Sequence, residues 1–319
     1  MHKYRNGLPQ LRGDFFMTDG GIETTLIFLD GQELPLFAAF HLLKTAEGEN
    51  ALRKYLLTYA ELAQRYGVGL ILESPTWRSS PDWGAQLGYS PEKLVTINKK
   101  CICMLEDIRR DFETNRTPIV ISGCIGPRGD GYVPDTLMSA QDAASYHSTQ
   151  IESFADSAAD LVTAITMNYA EEAIGITLAA KEAQIPVVVS FTLETDGRLP
   201  TGQSLSDAIS QVDNASSGYP AYFMINCAHP SHFDKVLKAD DPVIQRIHGL
   251  RANASTMSHT ELNEAPELDA GNPDALGAEY AALKKNLLPN LNVMGGCCGT
   301  DHRHIEKITL ACLPAFQAK

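Results

Sequence analysis

The sequence predicts an α/β fold, a closed TIM-type (β/α)8 barrel occupying 1–319 as one domain. Three observations predict it. Eight short, near-continuous apolar runs recur along the chain, as parallel strands buried on both faces require. The stretches between them carry apolar residues at the three- and four-residue spacing of a helix. No Gly-x-Gly-x-x-Gly turn follows the first run, which disfavours the runner-up, a doubly wound open sheet.

The first strand is placed at 15–22 and ends in the Asp19-Gly20-Gly21 turn. A helix follows, with Leu52, Tyr55, Leu56, Tyr59, Leu62, Ala63 and Tyr66 on one face. The second strand covers 68–75. Ser90-Pro91-Glu92 then opens a helix with a capping side chain and a proline at the first helical position. The third, fourth and fifth strands are 118–125, 160–167 and 186–193, with a stripe of Ile174, Leu178, Ala179 and Ala183 between the last two. Strands six to eight are 221–227, 247–253 and 292–297. In a barrel the C-terminal strand ends share one mouth. Asp19, Glu73, Gly126-Pro127, Asn168, Glu194, Cys227, Asn253 and Cys297-Cys298 are therefore expected around one site.

The net charge of -13 argues against a nucleic-acid or anionic-membrane partner, both of which need a basic face. No 18-residue apolar run is present, so no transmembrane helix is expected. The N-terminus lacks the apolar stretch of a signal peptide. Seven cysteines, an odd number, do not make a disulfide framework, and a reducing cytoplasm is expected. Homo-oligomerisation is left open.

Cys227 ends the sixth strand, and Cys297 and Cys298 end the eighth. Taken singly, Cys227 fits a core position, and the adjacent pair fits a vicinal disulfide or a glycine-rich phosphate turn. Together they offer three soft ligands at one mouth, a set suited to zinc and unsuited to magnesium or calcium. A structural zinc would take four ligands in paired Cys-x-x-Cys spacings, and none occur. An incomplete set points to a zinc that activates a thiol. Gly295, Gly296 and Gly299 are expected to supply the bend that turns both adjacent sulfurs inward. His229 is set aside as a ligand because the chemistry needs an open position. Cys101, Cys103, Cys124 and Cys312 are read as packing residues, and His302 and His304 as the surface of the last helix.

Asp19-Gly20-Gly21, Gly123-Cys124-Ile125-Gly126-Pro127, Ser190-Phe191-Thr192, Asp196-Gly197-Arg198-Leu199, Asn226-Cys227, Asn253 and Gly295-Gly296-Cys297-Cys298-Gly299-Thr300 together resemble the homocysteine S-methyltransferase family. The likeness runs through nearly the whole chain. It implies a zinc-dependent barrel with Cys227, Cys297 and Cys298 as ligands and an acceptor thiol on the metal. The acceptor implied is homocysteine and the product methionine. Asp19, Gly20 and Gly21 are then expected near the acceptor, and Asn253 matches the Asn of the family's Pro-Asn-x-Gly turn.

The departures are informative. Members often carry Glu-Thr-Ile-Pro after the fourth strand, where the glutamate holds the acceptor's amino group; here Ile165-Thr166-Met167-Asn168 stands there. An ammonium without a partner in a closed site costs several kcal/mol. Glu73 is the expected substitute, with Glu23 and Glu194 as second choices; an ion pair with Arg78 or another mouth arginine is the competing role for Glu73. Trp77 and Trp83 are candidate cation–π partners for an onium donor. No corrinoid motif is present, so a diffusible methyl donor is expected, namely S-methylmethionine, S-adenosylmethionine, betaine or dimethylsulfoniopropionate. The rivals are another thiol or selenol acceptor, a methyl-corrinoid protein as donor, and a zinc- or ligand-binding barrel without turnover.

Overall fold

The computed structural model describes residues 2–134, 137–265 and 267–317. Eight parallel strands close into one barrel in sequence order, with the first hydrogen-bonded to the second and the last. They are β1 (Phe16–Met17), β2 (Gly69–Glu73), β3 (Ile119–Ile125), β4 (Leu161–Met167), β5 (Val187–Thr192), β6 (Phe223–Asn226), β7 (Ile247–Ala252) and β8 (Val293–Gly296). Each lies within the run assigned to it from the sequence. The first is far shorter than expected, because the Asp19-Gly20-Gly21 turn diverts the chain and Gly21 N–H bonds to the Thr300 carbonyl at 3.0 Å.

The long helices are α1 (Ala46–Tyr66), α2 (Pro91–Phe112), α3 (Ala140–Ala155), α4 (Ala170–Glu182), α5 (Leu205–Ser216), α6 (Pro273–Asn286) and α7 (His302–Cys312). Thr45, Ser90, Ser139, Ser204, Asn272 and Asp301 cap α1, α2, α3, α5, α6 and α7 by accepting first-turn N–H groups. The expected helix between β6 and β7 is missing among the described residues. Two 3-10 turns, Pro230–His232 and Pro242–Arg246, stand in its place. Each proline opens its turn, and the stretch between them is short and charge-rich.

Two cysteine and histidine expectations change. Cys101 and Cys312 are buried, but Cys103 is exposed, because two helical positions on from Cys101 turns it to another face. His302 is exposed as expected, whereas His304 is fully buried. Its Nδ1 accepts the Asp301 N–H at 3.1 Å and its Nε2 donates to the Ala270 carbonyl at 2.7 Å, completing the cap of α7. No helix among the described residues is long and apolar enough to cross a membrane.

Side chains facing the barrel axis come from every second strand position. Near the N-terminal ends they are apolar. Phe16, Ile71, Val120, Leu161, Val188, Tyr222, Met224 and Val293 form one cluster, plugged from below by Leu8. One step nearer the mouth the same register carries Glu73, Ser122, Thr163, Ser190, Asn226 and Arg251, all buried. The interior therefore has an apolar floor and a polar upper layer, and the polar layer is what positions the site.

The floor is tied by Asp160. Its carboxylate accepts the Lys3 and Tyr4 N–H groups, both at 2.7 Å, the Ile121 N–H at 3.0 Å and Arg109 Nη1 at 2.7 Å. Asp160→Ala leaves Arg109 as an unpaired buried charge. A loss of about 3–5 kcal/mol in denaturant unfolding is expected, and a loss under about 1 kcal/mol would show that Asp160 does not anchor the floor.

Candidate metal and substrate site

Cys227 follows β6 with φ of 52°, a left-handed conformation that non-glycine residues rarely adopt. Three bonds hold it there. Its N–H donates to the Arg251 carbonyl at 3.1 Å, and its own carbonyl accepts Asn253 Nδ2 at 3.1 Å and His259 Nε2 at 2.6 Å. Asn253, expected near substrate, thus spends its amide N–H on the Cys227 turn. Glu194 is held at 3.1 Å by His259 Nδ1.

Cys297 and Cys298 lie just past β8. Cys297 N–H donates to the Ala252 carbonyl at 2.8 Å, and Ala254 N–H donates to the Cys298 carbonyl at 3.0 Å. Thr300 closes the turn by donating Oγ1 to the Cys297 carbonyl at 2.7 Å. Of the three glycines expected to bend this segment, only Gly299 has a left-handed φ, at 78°. Gly295 and Gly296 are required for space instead: a Cβ would strike Thr18 Oγ1 at the first and Thr300 Oγ1 at the second. Gly20 and Gly21 serve the same packing. A Cβ on either would collide with the carbonyl of Thr300 or Cys297, respectively. The structure places this pair against the sulfur-bearing turn.

The result is that the Sγ atoms of Cys227, Cys297 and Cys298 lie within 4.8 Å of one another, the one such ligand cluster among the described residues. Tetrahedral zinc with bonds of about 2.3 Å spaces its sulfurs about 3.8 Å apart, so the trio fits with little movement. Hydrogen bonds from Cys297 and Cys298 hold the Cys227 thiol well below its ordinary pKa. Bonding to Cys227 in turn pushes Cys297 up to about 12 and Cys298 upward as well. Three sulfurs sharing negative charge through protons are suited to exchanging those protons for a soft cation. His229 lies outside the cluster, 3.3 Å from Glu279.

Two residues of the site were not singled out from the sequence. Tyr132, in the loop after β3, donates its hydroxyl to Cys227 Sγ at 3.3 Å and lies 3.8 Å from Cys298 Sγ. Its ring packs on His259, with centroids 4.1 Å apart. Nothing in a long loop's sequence marks it. Arg251 does carry a signal: it is a charge within an apolar strand, two positions before Asn253 and so on the same face. Its Nη2 reaches Asp19 Oδ1 at 2.6 Å and the Gly20 carbonyl at 3.1 Å, and Nε reaches the Gly296 carbonyl at 3.1 Å. Tyr55 bonds the other Asp19 oxygen at 2.9 Å. Both oxygens of Asp19, expected beside the acceptor, are therefore engaged within the protein.

Glu73 is buried on the axis-facing side of β2, and its Oε2 has no hydrogen-bond partner. Burial pushes its pKa up to about 7 against the pull of Arg251. Burial likewise raises Glu23, at the rim, to about 7. Desolvation opposes the charge of Arg251, but Asp19, Glu73 and Cys297 together raise its pKa. The competing ion pair of Glu73, with Arg78 or with another mouth arginine, does not form among the described residues. Arg78 donates to the Gly129 carbonyl at 3.0 Å and lies 4.1 Å from the Trp77 ring and 3.7 Å from the Trp83 ring. The cation found over both rings is thus one of the protein's own. Trp77 Nε1 donates to the Ile165 carbonyl at 3.3 Å.

The family model for homocysteine S-methyltransferase matches residues 16–312. No curated protein matches the sequence. Among solved structures, the homocysteine methyltransferase MmuM from Escherichia coli aligns in its metallated form with a TM-score of 0.72 at 18% identity, covering 96% of this chain and 99% of that one. Its oxidized form gives 0.73 at 17%, covering 97% and 99%, and its apo form 0.60 at 16%, covering 93% and 96%. At such identity the likeness is one of fold.

The raised Glu73 pKa makes stability depend on pH. Unfolded, the group ionises near 4.3; folded, near 7. Between those values the unfolded chain releases the proton first, so stability falls as pH rises and the penalty is complete above about pH 7. Glu73→Gln, in the metal-free reduced protein, should exceed the native chain in unfolding free energy at about pH 8, by up to about 3 kcal/mol. The gap should shrink toward about pH 5. Equal stability at the higher pH would contradict this.

Proposed function

The chain belongs to the homocysteine S-methyltransferase family, a methyltransferase family, and we propose that it moves a methyl group from a small onium donor to homocysteine, giving methionine. The observation that carries this reading is the convergence of three cysteine sulfurs from β6 and β8 on one point of the barrel mouth. In this proposal the whole chain works as one domain, and the reduced sulfurs call for a reducing compartment such as the cytoplasm.

Cys227, Cys297 and Cys298 would hold one zinc ion. When bound, zinc supplies a thiol that is ionised at neutral pH. The remaining work belongs to the chain. The Cys227 and Cys297 turns fix the direction from which the acceptor sulfur faces the mouth. Tyr132 covers the sulfur trio and has to withdraw its hydroxyl to admit a guest. In transfer, the acceptor sulfur forms a bond to the methyl carbon as the donor's C–S or C–N bond breaks. The donor's electron pair stays with its heteroatom, and it leaves with its onium charge neutralised. S-methylmethionine, S-adenosylmethionine and betaine all meet this requirement. Glu23 and the acidic character of the mouth favour a cationic donor.

Glu73 is assigned the acceptor's ammonium. Its buried Oε2 has no hydrogen-bond partner among the described residues, whereas Asp19 is taken by Arg251 and Tyr55. Ile165 supports a second reading, in which the same site serves a different thiol or selenol, because it brings no carboxylate to the mouth.

Zinc-replete protein incubated with homocysteine and each onium donor should yield methionine by mass spectrometry. Absence of product with every donor would overturn the assignment of acceptor and donor class. The reduced protein should hold about one zinc per chain, as three thiolates imply. Cys298→Ala should lose both the metal and transfer, whereas Cys312→Ala should keep both. Glu73→Gln should weaken homocysteine binding, and an unchanged affinity would remove Glu73 from the acceptor site.

A further inference from the structure

Every residue that faces the barrel axis is walled by strands. Whatever exposure it retains must open onto space inside the barrel. Glu73 and Arg251 each keep 6%, Cys124 6% and Ile165 7%, while their outward neighbours Leu250, Ala252, Ile125 and Ala164 keep none. These residues therefore form the upper wall of the barrel interior.

Two charges of opposite sign stand in its wall with unused hydrogen-bonding capacity. Arg251 commits Nη2 to Asp19 and Gly20 and Nε to Gly296, but Nη1 has no partner among the described residues. Glu73 has no partner for Oε2. They attract each other, yet form no ion pair among the described residues. A buried guanidinium N–H and a buried carboxylate oxygen left idle are each costly. A ligand carrying an anion and a cation on one carbon would satisfy both.

We propose that Arg251 and Glu73 form a clamp for the zwitterionic head of an α-amino acid, with Arg251 Nη1 donating to the carboxylate and Glu73 accepting from the ammonium. The proposal rests on the amino-acid acceptor reading and deepens it. The acceptor must carry both groups, and Arg251 sets the demand for the carboxylate. Asp19 keeps a positioning role: with Tyr55 behind it, it steadies the guanidinium so that Nη1 stays free.

The test is calorimetric binding to the zinc-loaded protein near neutral pH. The ligands are homocysteine, 3-aminopropane-1-thiol, which lacks the carboxylate, and 4-sulfanylbutanoate, which lacks the ammonium. Each analogue should bind at least about tenfold more weakly than homocysteine. Arg251→Lys should weaken homocysteine and 4-sulfanylbutanoate by at least about tenfold and leave 3-aminopropane-1-thiol within about twofold. If Arg251→Lys does not fold, the comparison of ligands on the native chain decides. Equal binding of homocysteine and its carboxylate-free analogue would overturn the clamp alone, as would a variant that loses all three ligands alike. Failure of zinc-loaded protein to bind homocysteine at all would overturn the acceptor reading and the clamp with it.

Discussion

The site depends on how closely two backbone turns approach each other. The segment after β1 and the segment after β8 meet at Gly20, Gly21, Gly295 and Gly296, where no Cβ fits. That contact lets Thr300 reach back to both turns and presents Cys297 and Cys298 together to the mouth. Cys227 arrives by a different device. It accepts a left-handed backbone, a strain of order 1–2 kcal/mol, and three hydrogen bonds over-determine it. Three sulfurs from distant strands thus converge because the backbone leaves them little alternative. The donor geometry is largely set before any metal arrives, which is what a tight thiolate site requires.

The second constraint is charge in a confined space. Above the apolar floor the barrel holds Asp19, Glu23, Glu73 and the sulfur trio, against the single guanidinium of Arg251 on its inner wall. Burying so many anions together is unfavourable, and the protein's response is visible in Glu23 and Glu73, both raised to about 7 by burial. Such groups are poised: near neutral pH they are only partly ionised, and a cationic guest draws them toward the charged form. The strain is therefore stored in protonation more than in backbone geometry.

Much of this was legible in the sequence because barrel strands announce themselves twice, by apolar runs and by chemistry at their ends. The eight runs, the Ser90 cap and the three sulfurs follow from period, capping and ligand softness. What escaped has physical reasons. Tyr132 approaches the sulfurs from a long loop whose path no periodicity encodes. The missing helix between β6 and β7 was hidden by the expectation of regular repetition, although Pro230 and Pro242 stood in the sequence. Gly295 and Gly296 were recognised as necessary, but for conformational freedom when the reason is space. Arg251 is readable by parity with Asn253, as a charge on the same face two positions inside the strand end.

Arg251 also explains how the site can depart from its family at β4 and still hold an amino acid. Ile165 on β4 brings no carboxylate to the barrel interior. Taken alone, it leaves an interior that does not distinguish a zwitterion from a neutral thiol. In the proposed clamp Arg251 occupies Asp19, which leaves a guest's ammonium to Glu73. The carboxylate of the guest gains in exchange a guanidinium held rigid by Asp19, Gly20 and Gly296. A planar fork with one edge anchored and one nitrogen free retains little conformational entropy to lose on binding. The proposed recognition thereby rests on β2 and β7, below the sulfur trio that the two turns bring together.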